Sequence, residues 1–275
     1  MNATAERPAT NVSTPTTLAR ASRRSLRIFL LEVRNELLKL ARMPAFALPA
    51  IGFPWMFFVL FGLLLPTPRV GSNGMAGYLV ATYGVFGMLG IALFTLGAGY
   101  ATERGQGWTT ARRALPSSHG LHLAARLVVA ALLGLIVAVG LAILAATFGG
   151  VRMPTASWAL VLLVVATSTL PFGAIGLLLG QVLGPNSAPG VINAIYLPMS
   201  FLSGLWIPIV ILPEFLQAIA PVWPSYHAAQ LALRAAGAPV QSDAMTSILA
   251  LAAITVVAFA LANVAARRVA AQTWG

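Results

Sequence analysis

Cysteine is absent from this 275-residue chain, which excludes disulfides, zinc–thiolate sites, iron–sulfur clusters and cysteine nucleophiles. Lysine and aspartate occur once each, as Lys39 and Asp243. Lys39 follows Asn35-Glu36-Leu37-Leu38, so no glycine-rich phosphate loop ending in Gly-Lys-Ser/Thr exists here. With a single lysine so placed and a single aspartate, residue supply alone rules out a nucleotide site with a magnesium-binding aspartate. Charge of either sign is scarce. Only 8% of residues are charged and 59% are hydrophobic, against about 25% charged in a soluble domain. That leaves too little polar surface to solvate a globule, and the surface this chain presents must be lipid.

The net charge of +11 would suggest nucleic acid in a soluble protein. Here the basic residues cluster at the ends of apolar runs, where they orient a membrane protein, and no nucleic-acid partner is expected. The first residues are rich in Thr, Ala and Ser without an apolar core. No cleavable signal peptide is expected, and residues 1–21 read as a disordered cytoplasmic tail. Residues 22–42 are amphipathic: Leu26, Leu30, Val33, Leu37 and Leu40 share one helical face, and Arg23, Arg27, Arg34, Lys39 and Arg42 occupy much of the rest, with Glu32 and Glu36 among them. Such a helix lies in the headgroup layer or packs on a partner. An apolar span follows within three residues, which favours the interface.

Residues 43–275 read as one all-α membrane domain. Crossing roughly 30 Å of hydrocarbon takes about 20 apolar residues. Ala45–Leu65, with Pro49 and Pro54 as expected kinks, satisfies this, as do the glycine-rich Met75–Ala101 and Leu127–Phe148. No charge occurs between Arg152 and Glu214, a stretch too long for one crossing, and the breaker cluster Gly184–Gly190 divides it into Ser157–Leu183 and Gly190–Leu212. Ala244–Ala266 completes six spans. With the amino terminus inside, fourteen of the seventeen Lys and Arg fall on inner segments, Arg126 among them in the second inner loop; Arg69, Arg152 and Arg234 remain outside. Phe215–Trp223 is apolar but short, and reads as a helix that dips into the membrane or lies flat on its outer surface, with Trp223 and Tyr226 in the outer aromatic belt.

His119 and His122 have a metal-compatible helical spacing but no carboxylate nearby in sequence, and read as solvated loop residues rather than a metal site. A nucleophile such as Ser203 would need a buried base, and the six spans contain no Asp, Glu, His, Lys or Arg. Neither catalysis nor a proton relay is expected, and apolar or amphiphilic cargo is favoured.

Two segments carry a resemblance. Glu103-Arg104-Gly105-Gln106-Gly107-Trp108, continuing to Leu115-Pro116-Ser117, resembles the cytoplasmic motif of the type 2 ABC exporter permeases. That motif has an acidic residue, a Gly-Thr pair four residues on, and a proline nine beyond the glycine; Glu103, Gly107 and Pro116 keep the register, while Trp108 replaces the threonine, with Thr109 beside it. Pro198, Ser203-Gly204, Pro208, Leu212-Pro213 and Pro221 resemble the family's fifth span and the broken helix after it. The resemblance implies a half-permease paired with a second copy or a sibling in a bacterial inner membrane, both termini cytoplasmic. A separate ATP-binding cassette ATPase would bind ATP and magnesium, with no cofactor in this chain. Glu103, Arg104, Gly105, Gly107, Trp108 and Pro116 would form the coupling contact to that ATPase, Glu103 and Arg104 standing at the membrane boundary where a charge reaches water or a partner. Cargo of the family includes drugs, lipids and polysaccharides. Asn193, Tyr196, Met199 and Ser203 read as one face of the fifth span; with Tyr83 and Phe57 they either touch amphiphilic cargo or pack helix against helix.

Overall fold

A chain surrounded by lipid must satisfy its backbone polar groups within each segment, and helices do so. The computed structural model describes residues 15–42, 44–65, 73–111 and 119–272, which form helices and connecting turns without a strand among them.

Helix α1 runs from Pro15 to Ala41. It therefore includes residues 15–21 of the expected disordered tail, whose residues 1–14 lie outside the described region. Proline costs nothing at a first helical position, and Leu18, Ala19 and Arg20 are good helix formers, so the helix starts earlier than the leucine pattern suggests.

Among the described residues, four helices are long and apolar enough to cross a membrane: Gly74–Gly105, Gly120–Thr147, Thr155–Val182 and Ala244–Arg268. Two shorter apolar helices, Ala50–Leu64 and Ala188–Leu202, stand where the first and fifth spans are expected. The first belongs to α2 (Pro44–Phe58) and the π-helical turn Val59–Leu64 that continues it. The second is α9 (Ala188–Leu202). At 1.5 Å per residue its fifteen residues reach only about 22 Å. The expected run to Leu212 is broken because Gly204 takes φ +75°, the left-handed geometry that ends helices. The chain then makes a single 3₁₀ turn at Ile209–Ile211 between Pro208 and Pro213.

The centre of the bundle is α3 (Gly74–Leu93), in which every residue from Met75 to Leu93 is buried. A π-helical turn, Phe94–Ala98, leads into α4 (Gly99–Gly105). After the turn at 106–107 comes α5 (Trp108–Ala111), and α6 (His119–Thr147) returns beside α3. The next long apolar helix comprises α7 (Thr155–Thr167) and α8 (Thr169–Val182), which join at Ser168. The breaker cluster ends α8 at Val182 as expected, and α9 follows.

The segment before the last helix is only partly superficial. In α10 (Glu214–Ile219) Phe215 is exposed, whereas α11 (Pro224–Ala235) is a buried helix packed on α3, α7 and α12. Tyr226 is accordingly not in an aromatic belt but packs with Ile209, Leu212 and Ala220. Small side chains at Ala228, Ala229 and Ala232 let α11 approach its neighbours closely. Helix α12 (Ala244–Gln272) is capped by Asp243, whose carboxylate accepts the Thr246 backbone N–H at 2.9 Å and the Thr246 hydroxyl at 2.5 Å. Those bonds hold the Asp243 carboxyl below its ordinary value.

Candidate functional site

The described ion pairs gather at one end of the bundle, where α1 lies against α6. Helix α1 turns Glu36 and Leu40 inward and leaves Leu26, Leu30, Leu31 and Leu38 exposed. Two glutamates one helical turn apart repel each other, so their spacing demands cationic partners. Helix α6 supplies His122 and Arg126, also one turn apart. His122 Nδ1 lies 3.2 Å from Glu32 Oε2, and Arg126 Nε lies 3.2 Å from Glu36 Oε1.

Glu103, near the end of α4, joins the two helices. Arg126 Nη1 donates to its Oε2 at 2.9 Å, Lys39 pairs with its other oxygen, and Lys39 also reaches Glu36 at 3.2 Å. Arg126 Nη2 donates to the Thr95 carbonyl, within the π-helical turn, at 2.6 Å.

Three sequence expectations are corrected here. Glu103 is 9% exposed, so its charge faces inward to Lys39 and Arg126 rather than to water or a partner. Arg126, expected in a loop, lies within α6 and is 1% exposed. His122, expected to be solvated, is buried between Glu32 and Glu103, its Nε2 lying 3.8 Å from the latter. The carboxylates it lacked in sequence arrive through folding.

The residues after Glu103 form a braced turn. The Arg104 guanidinium donates to the carbonyls of Gln181 at 2.5 Å and Leu183 at 2.6 Å, satisfying the end of α8. Gly105 lies against Pro185, and a Cβ there would come within 2.6 Å of the ring. Gly107 has φ +79° with open space around it, so its requirement for glycine is conformational. Trp108 follows, 58% exposed. Pro116, with Leu115 and Ser117, lies outside the described residues.

At the other proposed site, Tyr196 stacks on Phe86 with centroids 5.1 Å apart, and Phe86 meets Trp206 edge-on at 5.7 Å. Phe57 contacts Trp206 at 5.8 Å, and the Tyr83 hydroxyl donates to the Trp206 carbonyl at 3.4 Å. Phe57, Tyr83 and Tyr196 thus converge on Phe86 and Trp206, two residues that the sequence did not single out. Met199 and Ser203 are buried, the Ser203 hydroxyl pairing with Ser225. Asn193 is exposed and stands apart. At 100° per residue it falls about 90° from the mean direction of the other three, so the shared face begins at Tyr196.

Long apolar helices around a buried central one, with the described ion pairs gathered at one end, define a polytopic membrane protein. The family model described as "ABC-2 family transporter protein" matches residues 64–264. The chain belongs to that family and is a permease subunit of an ABC transporter. It is also 24% identical over 192 residues to the Bacillus subtilis (strain 168) protein named "Putative transport permease YvfS", an alignment covering 70% of this chain and 78% of the relative.

Proposed function

We propose that this permease works as half of an ATP-driven exporter of amphiphilic or hydrophobic cargo, of the drug, lipid or polysaccharide class. A separate ATP-binding cassette ATPase binds the ATP and magnesium, and a second copy or a sibling completes the pathway. Six crossings, the first and fifth made by shorter helices, put both termini on the cytoplasmic side of a bacterial inner membrane. The observation that carries the coupling reading is the position of Trp108: an exposed aromatic one residue beyond a turn that Arg104 and Gly105 brace against α8. Large exposed aromatics on rigid supports make strong contact points. Glu103 anchors this contact from within, through Lys39 and Arg126. Packing among Phe57, Phe86, Tyr196 and Trp206 supports a cargo region suited to apolar and aromatic groups.

The test is co-purification from native membranes, followed by reconstitution with the recovered ATPase. Cargo-stimulated ATP turnover that Trp108→Ala abolishes supports this reading. Recovery of the chain without any ATPase, together with ion or solute flux that needs no ATP, would replace it with a passive channel or scaffold.

A further inference from the structure

Between α1, the Phe94–Ala98 turn with α4, and the first turn of α9 lies a cavity of about 720 Å³, within the size range of sites that hold small ligands. Its wall combines two chemistries. Leu40, Phe94 and Ala98 line an apolar side, while the cations Lys39, Arg42 and Arg126 and the carboxylates of Glu36 and Glu103 line the rest. Three positive groups against two negative ones leave a surplus of one positive charge. That surplus has a definite place: ion pairs absorb Lys39 and Arg126, whereas Arg42 is exposed at the mouth and makes no ion pair among the described residues. Lys39 keeps about a third of its side chain accessible beside it.

The mouth lies at the end of α1, whose exposed Leu30, Leu31 and Leu38 suit the boundary between headgroups and acyl chains. A small inorganic anion would answer the charge and leave the apolar wall empty. A neutral hydrophobe would fill the wall and leave Arg42 unmatched. Basic pockets between transmembrane helices hold anionic headgroups. The geometry points to an anionic membrane phospholipid of the phosphatidylglycerol class, its phosphate at Arg42 and Lys39 and an acyl chain against Phe94 and Ala98. The bound lipid wedges α1 against α4. This inference rests on the membrane placement of the chain and not on coupling to an ATPase.

The experiment uses the full chain without any ATPase, so its failure is separable from that of the transport reading. The protein is delipidated, returned to nanodiscs of phosphatidylcholine with a minority of phosphatidylglycerol, and extracted again. Mass spectrometry then measures the retained lipids. Phosphatidylglycerol should be enriched over phosphatidylcholine. Arg42→Gln should cut that preference about fivefold, the factor expected for one basic residue facing an anionic headgroup. Ala98→Leu, which fills the cavity from its apolar side, should abolish it, and Arg268→Gln, at the exposed end of α12, should leave it unchanged. Equal retention of the two lipids would overturn the assignment. So would a preference that Arg42→Gln leaves intact, or one that Arg268→Gln weakens as much as Arg42→Gln does, because diffuse surface charge would then explain it.

Discussion

Arg126 of α6 donates to Glu103 of α4 at 2.9 Å from a position that is 1% exposed. The pair does more than join those two helices, since Glu103 also holds Lys39 of α1 and Arg126 also pairs with Glu36. The docking of α1 and the position of the turn after Glu103 therefore share one set of charges.

Removing one partner of a buried pair strands the other, at a cost of about 3–5 kcal/mol. Arg126→Leu should lower stability by that order and loosen α1, read as a fall in Tm and as new proteolytic cleavage within residues 25–41. Glu103→Gln, which leaves Arg126 its contact with Glu36, should cost less. Unchanged Tm and proteolysis in Arg126→Leu would show that the cluster does not hold α1.

Trp108→Ala should separate contact from folding. Its side chain is exposed, so stability should stay within about 0.5 kcal/mol of the parent, while ATPase recruitment and cargo-stimulated turnover fall. Co-purification and phosphate release from the reconstituted complex measure the two.

The two glycines of the turn should fail differently. Gly107→Ala meets no neighbouring atom and should cost about 1–2 kcal/mol through its left-handed backbone alone, with transport impaired but the helices undisturbed. Gly105→Ala must push Pro185 aside, so spectroscopic labels on the neighbouring exposed positions 106 and 186 should move apart in this variant and not in Gly107→Ala.

Because the chain has no cysteine, single cysteines report topology directly. Positions 73, 155 and 242 should react with an impermeant thiol reagent from outside; positions 106, 186 and 272 should not. The Asn73 side chain accepts the Arg152 backbone N–H at 3.3 Å, which places positions 73 and 152 at the same end of the bundle. Labelling of 272 from outside would overturn the six-crossing reading.

The helices were legible in the sequence wherever apolar runs met breakers: Gly184–Gly190 separates α8 from α9 as read. Burial of charge was not legible. Glu103, Arg126 and Glu36 are far apart along the chain, and helix-end charges ordinarily face water. The available signal was two spacings of four, Glu32 with Glu36 and His122 with Arg126, one pair acidic and the other basic, each needing what the other provides. The buried α11 was missed for a different reason. Its polar residues, among them His227 and Gln230, mask a helix that packs through alanine rather than through large apolar groups. In the proposed cargo region, the spacing found Tyr196, Met199 and Ser203, but not Phe86, which stacks on Tyr196 from α3, nor Trp206, which lies just past the break after α9 and meets Phe86 edge-on.

Arg104 and Gly105 fasten the turn at 106–107 to the end of α8, and only residues 183–187 lie between α8 and α9. So short a link has little slack with which to absorb a shift of either helix. A push delivered at Trp108 would thus be passed on within the same stroke to α9 and the Tyr196 ring it carries, with the two turns behaving as one clamped crank rather than as independent flexible loops.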